Sequence, residues 1–449
     1  MTSSIPHAKR PCSVMLRSQA RLRRGHAPAD ACRELGAPKR PVVRGLGLAA
    51  IILCAHAAAH AAEPLRIEVR ETAGIRRFGY PVSWRFRLPS EVPAATKFQL
   101  VDEDRGVAAQ FRPASKGDEA REWSLNFNVN LLPYESHRYS IEYGEGVSGS
   151  HEPDRGMALE RTDDAIKVSN APYLTFTVPK DLHGLLRSLK TPAAEFFDPD
   201  SAGLVLRSGK DVYRLGETAP DAGRLSVQVA KEGPIANALR FTGNQPLAAG
   251  ASVATVVDLE FVNSKSWVRV DWSVDDPTGA ISALGADLNL ALDPPERDKP
   301  TLVDFGAGTL VYATLTTGHS ARLEARRDQH WQVLRGLEGK LEPFVVETQA
   351  DGPPSLPEGW AHVMDERRCT AAAVDDFGRN YHDWIEVSSQ GRLQIWREFS
   401  EAGAATEPGP KTLTFWLHFV SFPPHVGAAT SPQSMLAPLE VRMLPENSN

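Results

Sequence analysis

Strict alternation of apolar and polar residues recurs along this chain and limits what it can fold into. Val82, Trp84, Phe86 and Leu88 alternate with Ser83, Arg85 and Arg87. Trp123, Leu125, Phe127, Val129 and Leu131 alternate with Ser124, Asn126, Asn128 and Asn130. The same period returns at Val253–Phe261, at Val268–Val274 (with Trp272), at Leu288–Leu292 and at Leu413–Phe419. A period of two gives one apolar and one polar face, the signature of a half-buried antiparallel strand. Turn-forming stretches such as Asp275-Asp276-Pro277-Thr278-Gly279 separate the runs. Helical periodicity is scarce, and the best stretch for a helix is a short one from Arg322 to Arg335. Many strands without crossover helices predict an all-β fold of antiparallel sandwiches. No repeat at a fixed period points to a propeller or solenoid.

The first 61 residues read as a secretory leader. Ten Lys or Arg fall between Lys9 and Arg44, an apolar run follows from Leu46 to Ala59, and Ala59-His60-Ala61 is a small-x-small cleavage pattern. The basic region is longer than usual for a signal peptide, so translation starting near Val42 is an alternative. The expected location is therefore periplasmic or extracellular. Removing 1–61 takes ten of the 50 basic and two of the 56 acidic residues, which leaves a net charge of −14. That balance argues against nucleic acid as a partner and against broad electrostatic capture of a polyanion. Cys12, Cys32 and Cys54 leave with the leader, so Cys369 has no partner for an internal disulfide. No later run reaches 18 apolar residues, so the mature chain is not expected to span a membrane.

The polar, Gly-rich stretch 146–157 separates strand-like sequence at 62–145 from a longer strand-rich part at 158–449. A second breaker-rich stretch, Asp351 to Gly359, is expected to be a long loop inside the larger part.

Several segments carry a family resemblance. Gly74-Ile75-Arg76-Arg77-Phe78-Gly79-Tyr80-Pro81-Val82 resembles the opening of a RIFT-type β-barrel domain. Glu232-Gly233-Pro234, Leu239-Arg240-Phe241, Ser266-Trp267-Val268-Arg269-Val270 and Thr370-Ala371-Ala372-Ala373-Val374-Asp375-Asp376-Phe377 resemble a large β-supersandwich. In this order they are similar to exo-acting rhamnogalacturonan lyases over roughly 63–440. The resemblance implies a small RIFT-type barrel at 62–145 and a supersandwich at 158–449. It also implies a polysaccharide or oligosaccharide partner. Family members of that kind carry a helical α/α-toroid after the sandwich, and this sequence is expected to lack it.

The residues most suggestive of chemistry lie between 360 and 425, which hold four of the nine Trp and four of the nine His that follow the leader. Trp360, Trp384 and Trp396 are candidates for stacking on sugar rings, with Arg367 and Glu398 bonding hydroxyls or carboxylates. A lyase needs a base, a cation that neutralises a uronate and an acid for the leaving oxygen. Tyr381, His382, Arg379 and Arg397 are the candidates. Asp375, Asp376, Glu386 and Glu398 are the carboxylates a hydrolase would draw on. No metal-ligand spacing occurs after the leader, although Asp271, Asp275 and Asp276, or Asp198 and Asp200, could hold calcium. His418 and His425 are seven residues apart. The expectation is an exported polysaccharide-active protein, a lyase if an enzyme. Its alternative is a non-catalytic carbohydrate-binding or envelope scaffold protein.

Overall fold

The computed structural model describes residues 63–445, apart from 171, 199, 217–224, 297, 328–329, 348–355, 401–405 and 423–430. The expected leader, most of the Asp351–Gly359 loop and His425 lie outside the described residues. Within them the fold is all-β, with helix limited to one 3-10 turn and the short segment Gln433–Leu436.

Two large antiparallel sheets form a sandwich. The nine-stranded sheet runs in the order Ser226–Lys231, Ala236–Pro246, Ser252–Val262, Trp267–Asp276, Gly409–Ser421, Arg368–Val374, Trp360–Met364, Thr301–Ala307, Thr309–Leu315. The eight-stranded sheet runs Asp211–Arg214, Gly203–Ser208, Ile281–Asn289, Arg392–Glu398, His382–Ser388, His319–Ala325, Trp331–Leu337, Lys340–Val346. The alternation explains why they pack. Phe241, Val257, Trp272, Phe305 and Leu417 of one sheet share a core with Leu284, Leu323, Val333, Ile385 and Ile395 of the other. Each fully buried side chain of this kind contributes about 1.5–3 kcal/mol. A four-stranded sheet (Ala158–Arg161, Ala165–Asn170, Leu174–Pro179, Ser188–Lys190) adds Val168, Phe176 and Leu189 to the same core.

The N-terminal part holds a five-stranded sheet and a three-stranded one, the latter built from Arg77–Pro93, Glu119–Leu131 and Ala109–Pro113. Its core of Ile67, Phe86, Trp123, Phe127 and Ile141 is continuous with Trp267, Trp360, Ala371 and Ala373 on the outer face of the nine-stranded sheet. The chain returns here at its end, where Glu440–Met443 pairs antiparallel with Leu65–Arg70. A buried clamp fixes that return. Arg77 donates to Ser434 O at 3.0 Å and Ala437 O at 2.6 Å, Tyr80 Oη donates to Ser434 O at 2.7 Å, and Glu71 pairs with Arg77 at 3.1 Å.

The helix expected over Arg322–Arg335 is instead a hairpin, His319–Ala325 paired with Trp331–Leu337. Leu323 and Val333 are fully buried opposite each other while Arg322 and Glu324 face the other way. The short period-two runs on either side of the turn dominate any helical spacing, because each satisfies a sheet on both edges.

Candidate functional site

The eight-stranded sheet presents its polar face outward, and the cross-strand register assembles the site there. One row joins Arg207, Ala283, Glu398 and His382; the next joins Val205, Gly285, Trp396, Trp384 and Glu324; a third contains Asp287, Gln394, Glu386 and Arg322. Alternation fixes which residues share this face, and topology fixes their neighbours. Trp384 and Trp396 stack at 5.9 Å and 28°. The Arg207 guanidinium lies 4.6 Å over Trp396, and that of Arg322 lies 4.2 Å over Trp384. Both indoles are more than nine-tenths buried beneath these arginines, so one ring face of each is already covered.

Glu398 is the hub. It accepts from Arg207 Nη1 at 3.1 Å, from His382 Nδ1 at 3.0 Å and from Trp384 Nε1 at 3.4 Å. Burial alone would raise its carboxyl, but the bonds from His382, Trp384 and Arg207 outweigh burial and hold it at about 2. An ionised carboxylate only accepts, so Nδ1 of His382 carries the proton in this bond. Nε2 of the same ring is buried and without a partner. Trp396 Nε1 is likewise buried without a partner. Arg322 binds Glu386 through Nε at 2.9 Å and Nη2 at 2.6 Å. The face therefore presents paired guanidinium and carboxylate groups around two indoles, with one buried, unpartnered nitrogen on His382 and one on Trp396.

The other candidates lie apart from this lattice. Arg397 points to the opposite face of its strand and binds Asp383, fully buried, at 2.8 and 3.0 Å. Burial and then Arg397 act oppositely on Asp383, and burial prevails, raising its carboxyl. Tyr381 packs edge-on against Phe399 with Arg397 over its ring at 5.3 Å. Arg379 is exposed and pairs with Asp376 at 3.5 Å. Of the four elimination candidates, only His382 belongs to the lattice. Trp360 sits on the other sheet, in the N-terminal core, donating to Glu358 at 2.6 Å. Arg367 binds Asp293 at 2.8 Å on the rim of a cavity of about 270 Å³ lined by Asp293, Asp365 and Glu366.

The hydrolase carboxylates are also dispersed. Glu398 is opposite His382 and Glu386 is four residues further along that strand, about 13 Å at ~3.3 Å per residue. A glycosidase pair needs about 5–10 Å. Asp375 and Asp376 occupy the turn after Arg368–Val374, with Asp376 at φ 50°, and burial raises the Asp375 carboxyl.

Three of the five acids considered for calcium bond within the protein. Asp276 accepts from the backbone of Ala280 and Ile281 at 2.9 and 2.8 Å, Asp271 binds Arg269 and Thr414, and Asp198 accepts from Asp200 N. No group of three or more His, Cys, Asp or Glu among the described residues could hold a metal ion. Cys369 is buried, and burial pushes its thiol up to about 12, far from a nucleophile at neutral pH. No helix among the described residues is long and apolar enough to cross a membrane.

Sequence reasoning missed Arg207 and Arg322. Each is an ordinary polar position in an alternating strand, and only the sheet order brings it over a tryptophan.

No family model matches the chain, and no curated protein matches it by sequence. Solved structures share the fold. An alpha-mannosidase from Enterococcus faecalis V583 is similar at a TM-score of 0.51 and 10% identity, over 86% of this chain and 46% of its own. A protein in glycosyl hydrolase family 38 from Enterococcus faecalis is similar at 0.52 and 10% identity, over 86% and 48%. The chain thus spans about half the length of these proteins, and at this identity the likeness is one of fold.

Proposed function

We propose that this is an exported carbohydrate-binding protein that holds a polysaccharide or oligosaccharide on the outer face of its eight-stranded sheet. The observation that carries this reading is the Arg207–Glu398–His382 and Arg322–Glu386 lattice around Trp384 and Trp396. Such edges bond vicinal hydroxyls, and closely spaced rings and planar guanidinium groups recur at sugar sites. The sandwich shared with a mannosidase is in keeping with that class of ligand, as fold alone. Export rests on the leader expected at 1–61.

Elimination is the second reading. It is favoured by His382, whose Nδ1 is held by Glu398, and by Arg207 on the same carboxylate. The rhamnogalacturonan lyase resemblance points the same way.

One experiment separates the two. The protein is incubated with a panel of neutral and uronate-containing polysaccharides, including rhamnogalacturonan, while binding and the ultraviolet absorbance of unsaturated product are followed. Binding with a flat absorbance supports the first reading. A rise that His382→Ala abolishes establishes the second. Neither binding nor product on any substrate overturns both.

A further inference from the structure

A second cleft lies on the opposite side of the sandwich. It has a volume of about 150 Å³ and runs between Tyr80–Ser83 of the N-terminal part and the outer face of the nine-stranded sheet. Trp267 and Tyr80 meet edge to face at 5.9 Å in its wall, and Met435 and Leu439 line it from the returning C-terminal segment. Trp416 borders it and is only partly buried, with the Arg269 guanidinium 5.2 Å from its ring centre. Register places Trp416, Arg269 and Glu260 side by side on three adjacent strands.

The charges here are paired in advance. Arg269 is bound by Asp271 at 2.9 Å, and Asp271 also accepts from Thr414 at 2.9 Å. Glu260 is bound by Lys231 at 2.6 Å, and Lys231 reaches across to Asn126 of the N-terminal part at 3.1 Å. Asn126 is 2% exposed, and its Nδ2 has no partner. Holding ion pairs at an interface costs desolvation that an apolar contact would not. Placed beside a partly exposed indole, they supply hydrogen-bonding edges without net charge. That combination matches an uncharged ring bearing hydroxyls and an apolar face, and it gives a uronate no free cation.

We propose that this cleft binds a single neutral pyranose residue against Trp416, with Glu260 and Arg269 bonding its hydroxyls, as a site separate from the face around Trp396. It does not rest on the function proposed above, because the two faces share no residue.

The test is calorimetric titration of the protein with the methyl glycosides of glucose, galactose and mannose, with the methyl glycoside of galacturonic acid, its carboxylate free, as the charged comparison. The expected result is saturable binding of at least one neutral glycoside and at least ten-fold weaker binding in Trp416→Ala. Ser83→Trp alters an exposed residue at the mouth, so it fills the cleft without touching the core, and it is expected to abolish binding at this cleft. If Trp416→Ala fails to fold, Ser83→Trp decides. Binding with unchanged stoichiometry in Ser83→Trp, or binding lost in Trp396→Ala and retained in Trp416→Ala, overturns the proposal. So does preference for the galacturonate, or no binding of any neutral glycoside at about 1 mM, an affinity of only about 4 kcal/mol.

Discussion

Trp396 lies over Gly285 of the neighbouring strand, so closely that a Cβ on the glycine would stand 2.6 Å from the indole and 2.6 Å from Ile395 O. These two residues face each other in register, and the missing side chain gives the indole its seat on the sheet. Ala283 and Val205 pack beside the same pair of tryptophans. The site thus depends on a small residue that carries no chemistry of its own.

Gly285→Ala is therefore expected to displace Trp396 and destabilise the fold by about 1–3 kcal/mol, the usual cost of overpacking. The shift of the denaturation midpoint at unchanged slope measures it. Sugar binding at this face should fall in the same variant, while Ala283→Gly should leave the indole seated.

Arg207→Lys keeps the charge beside Glu398 and loses the planar guanidinium over Trp396. Cation–π contacts contribute about 0.5–2 kcal/mol, so binding should weaken several-fold with the fold retained. Equal affinity in wild type and variant would show that the guanidinium plane has no part in recognition.

Acid stability should depend on two carboxylates. Burial opposes ionisation of both Glu398 and Glu71, yet their bonds hold each at about 2 against an ordinary 4.5. For Glu71 these come from the backbone of Tyr134 and Ala73 and from Arg77. A depressed carboxyl stabilises the folded state fully above its unfolded value and loses that contribution as pH falls through its folded value. Stability should accordingly decline between about pH 4.5 and pH 2. Glu71→Gln should flatten part of that decline in pH-dependent denaturation, at the cost of lower stability at pH 7.

The Arg397–Asp383 pair predicts a fourth behaviour. Removing one partner leaves a buried charge, so Arg397→Met should cost about 3–5 kcal/mol, whereas Arg397→Met with Asp383→Leu should recover much of it. A thermal melt of the single and double variants checks this. A structural pair predicts this recovery, and any residual elimination activity should be unaffected in the double variant.

The period-two runs were enough to determine that this chain is a set of antiparallel strands, and which residues of each strand share a face. Parity puts His382 with Trp384 on one strand and Trp396 with Glu398 on the next, and the register between the two strands brings the pairs together. Tertiary structure decided what stands beside them. Arg207 reaches Glu398 across 191 residues of sequence, and Arg322 reaches Glu386 across 64. Neither partner is implied by its own strand, because strand order in a sheet is set by how the whole core closes. The same applies to Arg397, whose sequence neighbours suggested a catalytic cation and whose parity sends it instead to buried Asp383. The Arg322–Arg335 hairpin makes the point for local structure, since a short segment of mixed spacing takes the conformation its neighbours can hydrogen-bond. A side chain's face is a local property of the backbone period, and its partner is a property of the fold.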